Sequence, residues 1–145
     1  MSKWTIKQTE EFAEWFESSD SKPQEDILEK VQTLSELGPH LGRPLVDTLK
    51  GSSISNLKEL RFDSNGKVMR ITFVFDPDRN GVLLIGGDKA GKNQVKFYQE
   101  LIANSEEIYK KWLDSRTKAI EAQRKKIAKK VVQKPLVKPK KGKIK

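Results

Sequence analysis

Apolar residues recur along this chain first with a helical period and then with a strand period. Phe12, Trp15 and Phe16 fall at i, i+3, i+4 spacing, the stripe of an amphipathic helix. Thr9 stands before them as an N-cap, and Glu10 and Glu11 fill the turn after it, where they suit the positive end of a helix dipole. Ile27, Leu28, Val31, Leu34 and Leu37 repeat the period over 22–37, with Pro23 near the first turn and Gly38-Pro39 as a stop. These two segments predict a helical hairpin. Ahead of them, residues 3–7 (KWTIK) read as a short strand with Trp4 and Ile6 on one face.

After Pro44 the period changes. Apolar segments at 57–62 (LKELRF), 68–75 (VMRITFVF) and 82–85 (VLLI) are separated by turn signals containing Asn65-Gly66 and Asn80-Gly81. Connections this short join only antiparallel neighbours. In the middle strand Met69, Ile71, Phe73 and Phe75 form one face, expected to pack on the helices, and Arg70, Thr72 and Val74 form the other. A last helix is predicted from about 93 to 112, carrying Phe97, Leu101, Ile108 and Trp112. The pattern predicts an α+β domain over 1–113. Over 114–145 it predicts a basic tail that extends the helix to about 132, through Ile120, Ile127 and Val131, and then becomes a disordered arm marked by Pro135, Pro139 and lysines.

Charge is divided along the same line. Of the net +9, residues 115–145 carry 13 Lys and Arg against the single Glu121, a net +12, which leaves −3 for 1–114. The basic signal therefore belongs to the tail, either as a solubilising segment or as an arm that contacts nucleic acid or the ribosome. With no cysteine, disulfides and thiolate metal sites are excluded. The lone histidine, His40, excludes a histidine-rich metal cluster and, lying in a Gly-Pro-His-Leu-Gly connection ahead of the strands, reads as a loop residue. Neither a cofactor nor a metal is expected. No apolar run approaches the roughly 18 residues of a membrane span, and the charged N-terminus lacks the apolar centre of a secretory signal. A soluble cytoplasmic protein is expected.

The stretch 82–93, VLLIGGDKAGKN, fits the phosphate-cradling pattern GxxxxGK except that Asn93 replaces the Ser or Thr that would hold Mg²⁺. A nucleotide loop of that kind follows a central strand with parallel neighbours, whereas this strand is hairpinned to the one before it. The hydrophobic run ending at Asp76 precedes the loop and enters a turn, so it does not serve as the Mg²⁺-binding partner strand. Gly86-Gly87 are instead expected to let the chain leave the sheet, and Gly91 to open the helix. Lys58, Arg61, Arg70, Lys89, Lys92 and Lys96 gather in this half of the chain. On the sheet they would form a cationic patch suited to a phosphodiester, or a solvated face of mixed charge with Glu59, Asp63 and Asp88.

The segments LGRPLVDTLKGSSISNLKELRF (41–62), MRITFVFD (69–76) and LLIGGDKAGK (83–92) resemble the HigB-like, phage-derived killer proteins of the RelE/ParE superfamily of toxin–antitoxin toxins. The resemblance covers about residues 4–113. It implies two N-terminal helices on a small, twisted, mainly antiparallel sheet with a C-terminal helix. It implies a ribosome-dependent mRNA endonuclease that works without metal, by attack of a ribose 2′-hydroxyl on the adjacent phosphate, and that is restrained by a helix-turn-helix antitoxin. A ParE-like poison of DNA gyrase, and an inactive prophage-derived remnant that binds RNA, are the alternatives. Carried over by position, the resemblance implies Arg70 as first choice for phosphate stabilisation, with Arg61 (or an ion pair of Arg61 with Glu59 or Asp63) and Lys89 beside it. Lys58, Lys92 and Lys96 would bind RNA, Lys92 would replace Lys89 if the loop is arranged differently, Tyr98 would stack on a base, relay a proton or pack beside Phe97, and Lys58 would act as a base if desolvated.

Overall fold

The computed structural model describes residues 4–133. Lys3 of the expected first strand and the expected arm over 134–145 lie outside the described residues. Strand β1 is Thr5–Gln8, helix α1 Glu10–Glu17 and helix α2 Ser21–Leu37, followed by a 3-10 turn at Gly38–His40. Then come β2 (Val46–Thr48), β3 (Lys58–Ser64), β4 (Lys67–Phe75), β5 (Asn80–Asp88) and α3 (Gln94–Gln133). The chain divides into two units, Met1–Lys110 and Lys111–Lys145, so the residues of α3 from Lys111 onward belong to the second. Among the described residues no helix is long and apolar enough to cross a membrane.

The five strands form one sheet in the order β1-β5-β4-β3-β2. Three pairs are antiparallel, whereas β1 lies parallel to β5, so the sheet is mixed. The tight β3–β4 turn follows from Asn65 and Gly66, both with positive φ (52° and 80°), as a two-residue hairpin requires. In the β4–β5 turn, Asp76 accepts the Asp78 and Asn80 amides at 2.9 Å each, so its carboxylate organises the turn.

The two faces of β4 separate as the alternation predicts. Met69, Ile71 and Phe73 join Leu60 and Leu83 beneath Phe12, Ile27 and Leu34 of α1 and α2. Thr9 caps α1 by accepting the Phe12 amide at 3.1 Å, and its hydroxyl donates to the Leu84 carbonyl of β5 at 2.8 Å, which ties the helix start to the sheet. The opposite face is not solvated. Thr72 and Val74 are buried, and Thr72 Oγ1 lies 2.7 Å from Ser105 Oγ of α3. The helix therefore covers the face that carries Arg70.

The glycine pair also differs from expectation. Gly86 and Gly87 lie within β5, and the strand continues to Asp88. A β-carbon at Gly86 would run into the Trp15 indole of α1, and one at Gly87 would come within 3.2 Å of the Phe97 ring of α3. Each glycine admits an aromatic ring from one side of the sheet, and the chain leaves only after them.

Candidate functional site

Register places the polar side chains of three strands on the α3 side. Arg61 faces Arg70 across β3–β4, Glu59 faces Thr72, and Asp47 of β2 faces Glu59. Two arginines directly opposed would repel, but carboxylates lie between and beside them. Arg43 Nη2 is 2.8 Å from Asp47 Oδ2, which is 3.9 Å from Arg61 Nη1. Arg61 Nε is 3.6 Å from Glu59 Oε2, and Arg70 Nε is 3.7 Å from Glu59 Oε1. Charges thus alternate from β2 across the sheet.

Tyr98, in the second turn of α3, closes this row. Its hydroxyl accepts from Arg70 Nε at 3.0 Å and donates to Glu59 Oε1 at 2.9 Å. Arg70 Nη1 donates to the Met69 carbonyl at 2.8 Å. With Glu59 4 % and Arg70 6 % exposed, these two are interior groups, and the tyrosine carries their network outward. Burial pushes the Glu59 carboxyl above its ordinary range, against the opposing pull of the Tyr98 hydrogen bond and the two arginines. Burial likewise raises the Tyr98 phenol, which keeps its proton. Asp47, held by the Arg43 guanidinium and then by the Thr48 amide, is lowered.

The loop after β5 brings cations to the other side of Tyr98. The Lys89 amide donates to the Val68 carbonyl at 2.8 Å, while Asp88 Oδ1 accepts the amides of Val68 (2.8 Å) and Ala90 (2.9 Å), which fixes the exit from the strand. Lys89 Nζ stands 5.8 Å from the Tyr98 ring centroid, within reach for a cation–π contact. Gly91, at φ 69°, turns the chain back towards α3. Asn93 caps that helix: its side chain accepts the Lys96 amide at 3.0 Å. This is the role of the residue that departs from the nucleotide-loop pattern.

Of the expected site residues, the structure gathers Arg61, Arg70, Lys89 and Tyr98. Arg70 is buried beneath α3 and committed to Glu59 and Tyr98, so it is not part of an open cationic face. Arg61 is the more accessible guanidinium, and its Nε is buried without a hydrogen-bond partner. Its ion-pair partners are Glu59 and Asp47. Lys58 alternates to the opposite side of β3 and donates to Thr48 Oγ1 at 2.9 Å, away from Tyr98. Lys92 approaches the Phe97 ring at 5.8 Å and Lys96 is exposed on the first turn of α3. Tyr98 also packs edge-on against Phe97 at 5.4 Å, so its packing and its hydrogen bonding occur together. His40 is exposed at the end of the 3-10 turn.

Sequence reasoning named Glu59 only as a surface charge or an ion-pair partner of Arg61, which it is, and passed over Asp47. The signal for Glu59 was its two-residue spacing from Arg61, which puts both on one strand face. Asp47 had no comparable signal, because the three-residue β2 is too short to show a period. Among the described residues, no three His, Cys, Asp or Glu side chains come together as a metal site would need.

Most of this sequence is shared with known proteins. Residues 14–110 match the family described as phage derived protein Gp49-like. The chain is 39 % identical over 107 residues to a Mycobacterium tuberculosis (strain ATCC 25618 / H37Rv) protein named "Putative toxin HigB2", covering 73 % of this chain and 52 % of that protein. It is also 39 % identical over 101 residues to "Putative toxin HigB3" of the same organism, covering 70 % of this chain and 86 % of that one. The match thus spans about half the length of the first relative and most of the second.

Proposed function

The chain belongs to the phage-derived Gp49-like family and is HigB-like, and from that premise we propose that it is the toxin of a toxin–antitoxin pair, an endoribonuclease acting on mRNA at the translating ribosome. The names of its relatives support a toxin. What supports catalysis is Tyr98, a protonated hydroxyl clamped between Arg70 and Glu59, with Arg61 on the same sheet face and Lys89 beside the ring.

In this reading a ribose 2′-oxygen bonds to the adjacent phosphorus and the bond from phosphorus to the 5′-oxygen breaks. A 2′,3′-cyclic phosphate and a 5′-hydroxyl result. Arg61 and Lys89 meet the charge that gathers on the phosphorane oxygens. Tyr98 turns its hydroxyl proton from Glu59 to the departing 5′-oxygen, the Arg70 Nε hydrogen bond stabilises the phenolate left behind, and the proton of the attacking hydroxyl passes to solvent and thence back to the phenolate. Arg70 and Glu59 are positioning residues that aim and polarise Tyr98. Lys92 and Lys96 lie along the RNA backbone. Lys58 has no part at the reacting phosphate, because it sits on the other side of β3. An antitoxin with a helix-turn-helix domain is the partner this reading entails, and ribosomes place the activity in the cytoplasm.

The test is a reconstituted translation reaction with a defined message, its cuts mapped by primer extension and the chemistry of the new ends determined. Cuts within ribosome-bound message, ending in a cyclic phosphate and a 5′-hydroxyl, are expected. Intact message, with DNA breaks accumulating in cells where the chain is induced, would overturn the nuclease reading in favour of a gyrase poison.

A further inference from the structure

Tyr98 has a second neighbourhood. A groove of about 550 Å³ runs between the first turns of α3 and the loop at Lys50 and Gly51, with Lys89 at its rim, where Nζ donates to Gln94 Oε1 at 3.4 Å. Tyr98, Gln94, Val95, Gln99 and Ile102 line the helix side and Lys50 the other. The loop wall is pinned. Glu106 accepts the Ser52 hydroxyl at 2.9 Å and the Ser53 amide at 2.7 Å, and Ser52 Oγ in turn accepts the Ile54 amide at 3.0 Å. These bonds, the Ser53 amide first, hold the Glu106 carboxyl below its ordinary range. These bonds fix the loop wall of the groove to α3.

Its chemistry is mixed in a specific way. Val95 is 67 % exposed, an unusual placement for a valine on an otherwise polar stretch, and with Ile102 it offers an apolar wall. Gln94 and Gln99 carry carboxamides, which both donate and accept, and Lys50 adds one ammonium group. A small apolar wall bordered by amides, with Lys50 on one side and Lys89 at Gln94, suits a nucleobase with its phosphate better than a protein helix, which would need a continuous apolar stripe.

Resting on the endonuclease reading, we propose that this groove is a base-selecting subsite, which takes one unpaired RNA base adjoining the scissile phosphate. The base lies against Val95 and Ile102, its polar edge meets the Gln99 and Gln94 carboxamides, and Lys50 meets the phosphate on its far side. Tyr98 joins the two halves: its hydroxyl belongs to the reacting phosphate and its ring edge to the base. The groove therefore sets which base stands next to the cut, while Arg61 and Lys89 act on any phosphodiester.

The test titrates the full chain with short single-stranded RNAs of varied sequence, 2′-O-methylated so that they are not cleaved, while amide and methyl resonances are followed by NMR. Saturable shifts of the Gln94 and Gln99 side-chain amides and the Ile102 methyl are expected, with affinity depending on the base offered. Ile102→Trp, which fills the groove, should weaken binding about tenfold, as loss of one stacked base does. Gln99→Leu, at an exposed position, should flatten base preference by lowering affinity for the preferred base towards that of the others. Shifts confined to Arg61, Lys89 and Lys92, with both variants binding as the wild type does, would overturn the subsite and leave RNA binding standing. No shift anywhere at millimolar RNA, with ribosome-bound message also uncut, would overturn both readings.

Discussion

Deleting Glu59 should harm the fold more than deleting its whole ion pair. The Glu59 carboxylate lies 3.7 Å from Arg70 Nε, both groups being almost wholly buried. At an effective dielectric of 20 the attraction across that distance is about 4–5 kcal/mol. Removing two such ions from water costs several kcal/mol each, which the attraction barely offsets. The upward shift of the Glu59 pKa expresses the same balance, since burial outweighs both arginines. Glu59→Leu leaves the buried Arg70 guanidinium without its counter-charge, and Arg70→Met leaves the buried carboxylate only the more exposed Arg61, 3.6 Å away. Each should cost about 3–5 kcal/mol, a large share of the 5–15 kcal/mol that holds a typical domain together. The double variant Glu59→Leu/Arg70→Met removes both ions and should lie within about 1 kcal/mol of the wild type or above it. Urea unfolding followed by tryptophan fluorescence measures all four proteins. Recovery of a cooperative transition in the double variant is the decisive readout. Single variants that cost under about 1 kcal/mol, or a double variant that loses the sum of the two, would refute the burial argument. The stable double variant should still fail to cut RNA, because nothing then aims the Tyr98 hydroxyl.

Stability should also depend on pH through Glu59. Its folded pKa is raised, so its contribution is present in full below the ordinary glutamate value of 4.5 and is lost as pH rises through the higher folded value. The stability of the wild type minus that of Glu59→Gln, measured by urea unfolding across this window, should fall with rising pH; a rise would contradict the assignment. Gly86→Ala should destabilise by about 1–3 kcal/mol, because the new methyl overlaps the Trp15 ring. Gly87→Ala, which Phe97 can accommodate by a small shift, should cost less, and thermal unfolding ranks the two. Arg61→Met should lower the cleavage rate by about 10²–10³ and, because Arg61 is the more exposed partner of Glu59, cost less stability than Arg70→Met; Lys89→Met should lower the rate more weakly, and mapped cuts and an unfolding curve separate rate from folding.

The elements of this protein were legible from periodicity. The stripe of Phe12, Trp15 and Phe16, the alternation through Met69, Ile71 and Phe73, and the Asn65-Gly66 turn each report a local preference that the folded chain keeps. The hairpin signals also foresaw two antiparallel pairings, β3 with β4 and β4 with β5, and thereby removed the nucleotide-loop reading of 82–93; the pairing of the short β2 with β3 was not foreseen. The parallel pairing of β1 with β5 left no local trace, because it joins residues some 75 positions apart in sequence.

The site was legible as a set of residues and not as an arrangement. Arg61, Arg70, Lys89 and Tyr98 were all named, yet the alternation pattern left the Arg70 face open to solvent. Thr72 and Ser105 explain why: two small hydroxyl residues, polar in any pattern, satisfy each other at 2.7 Å and so form a buried seam between β4 and α3. Once the helix lies there, Arg70 must find its partners inside the protein. Glu59 then changes from one charge on a mixed surface to the counter-ion of the site. Local sequence determined which residues share a strand face and which turn joins which strands. Only the tertiary structure decided which face was covered, and burial, which sets the cost of a charge, is what separates the accessible Arg61 from the interior Arg70.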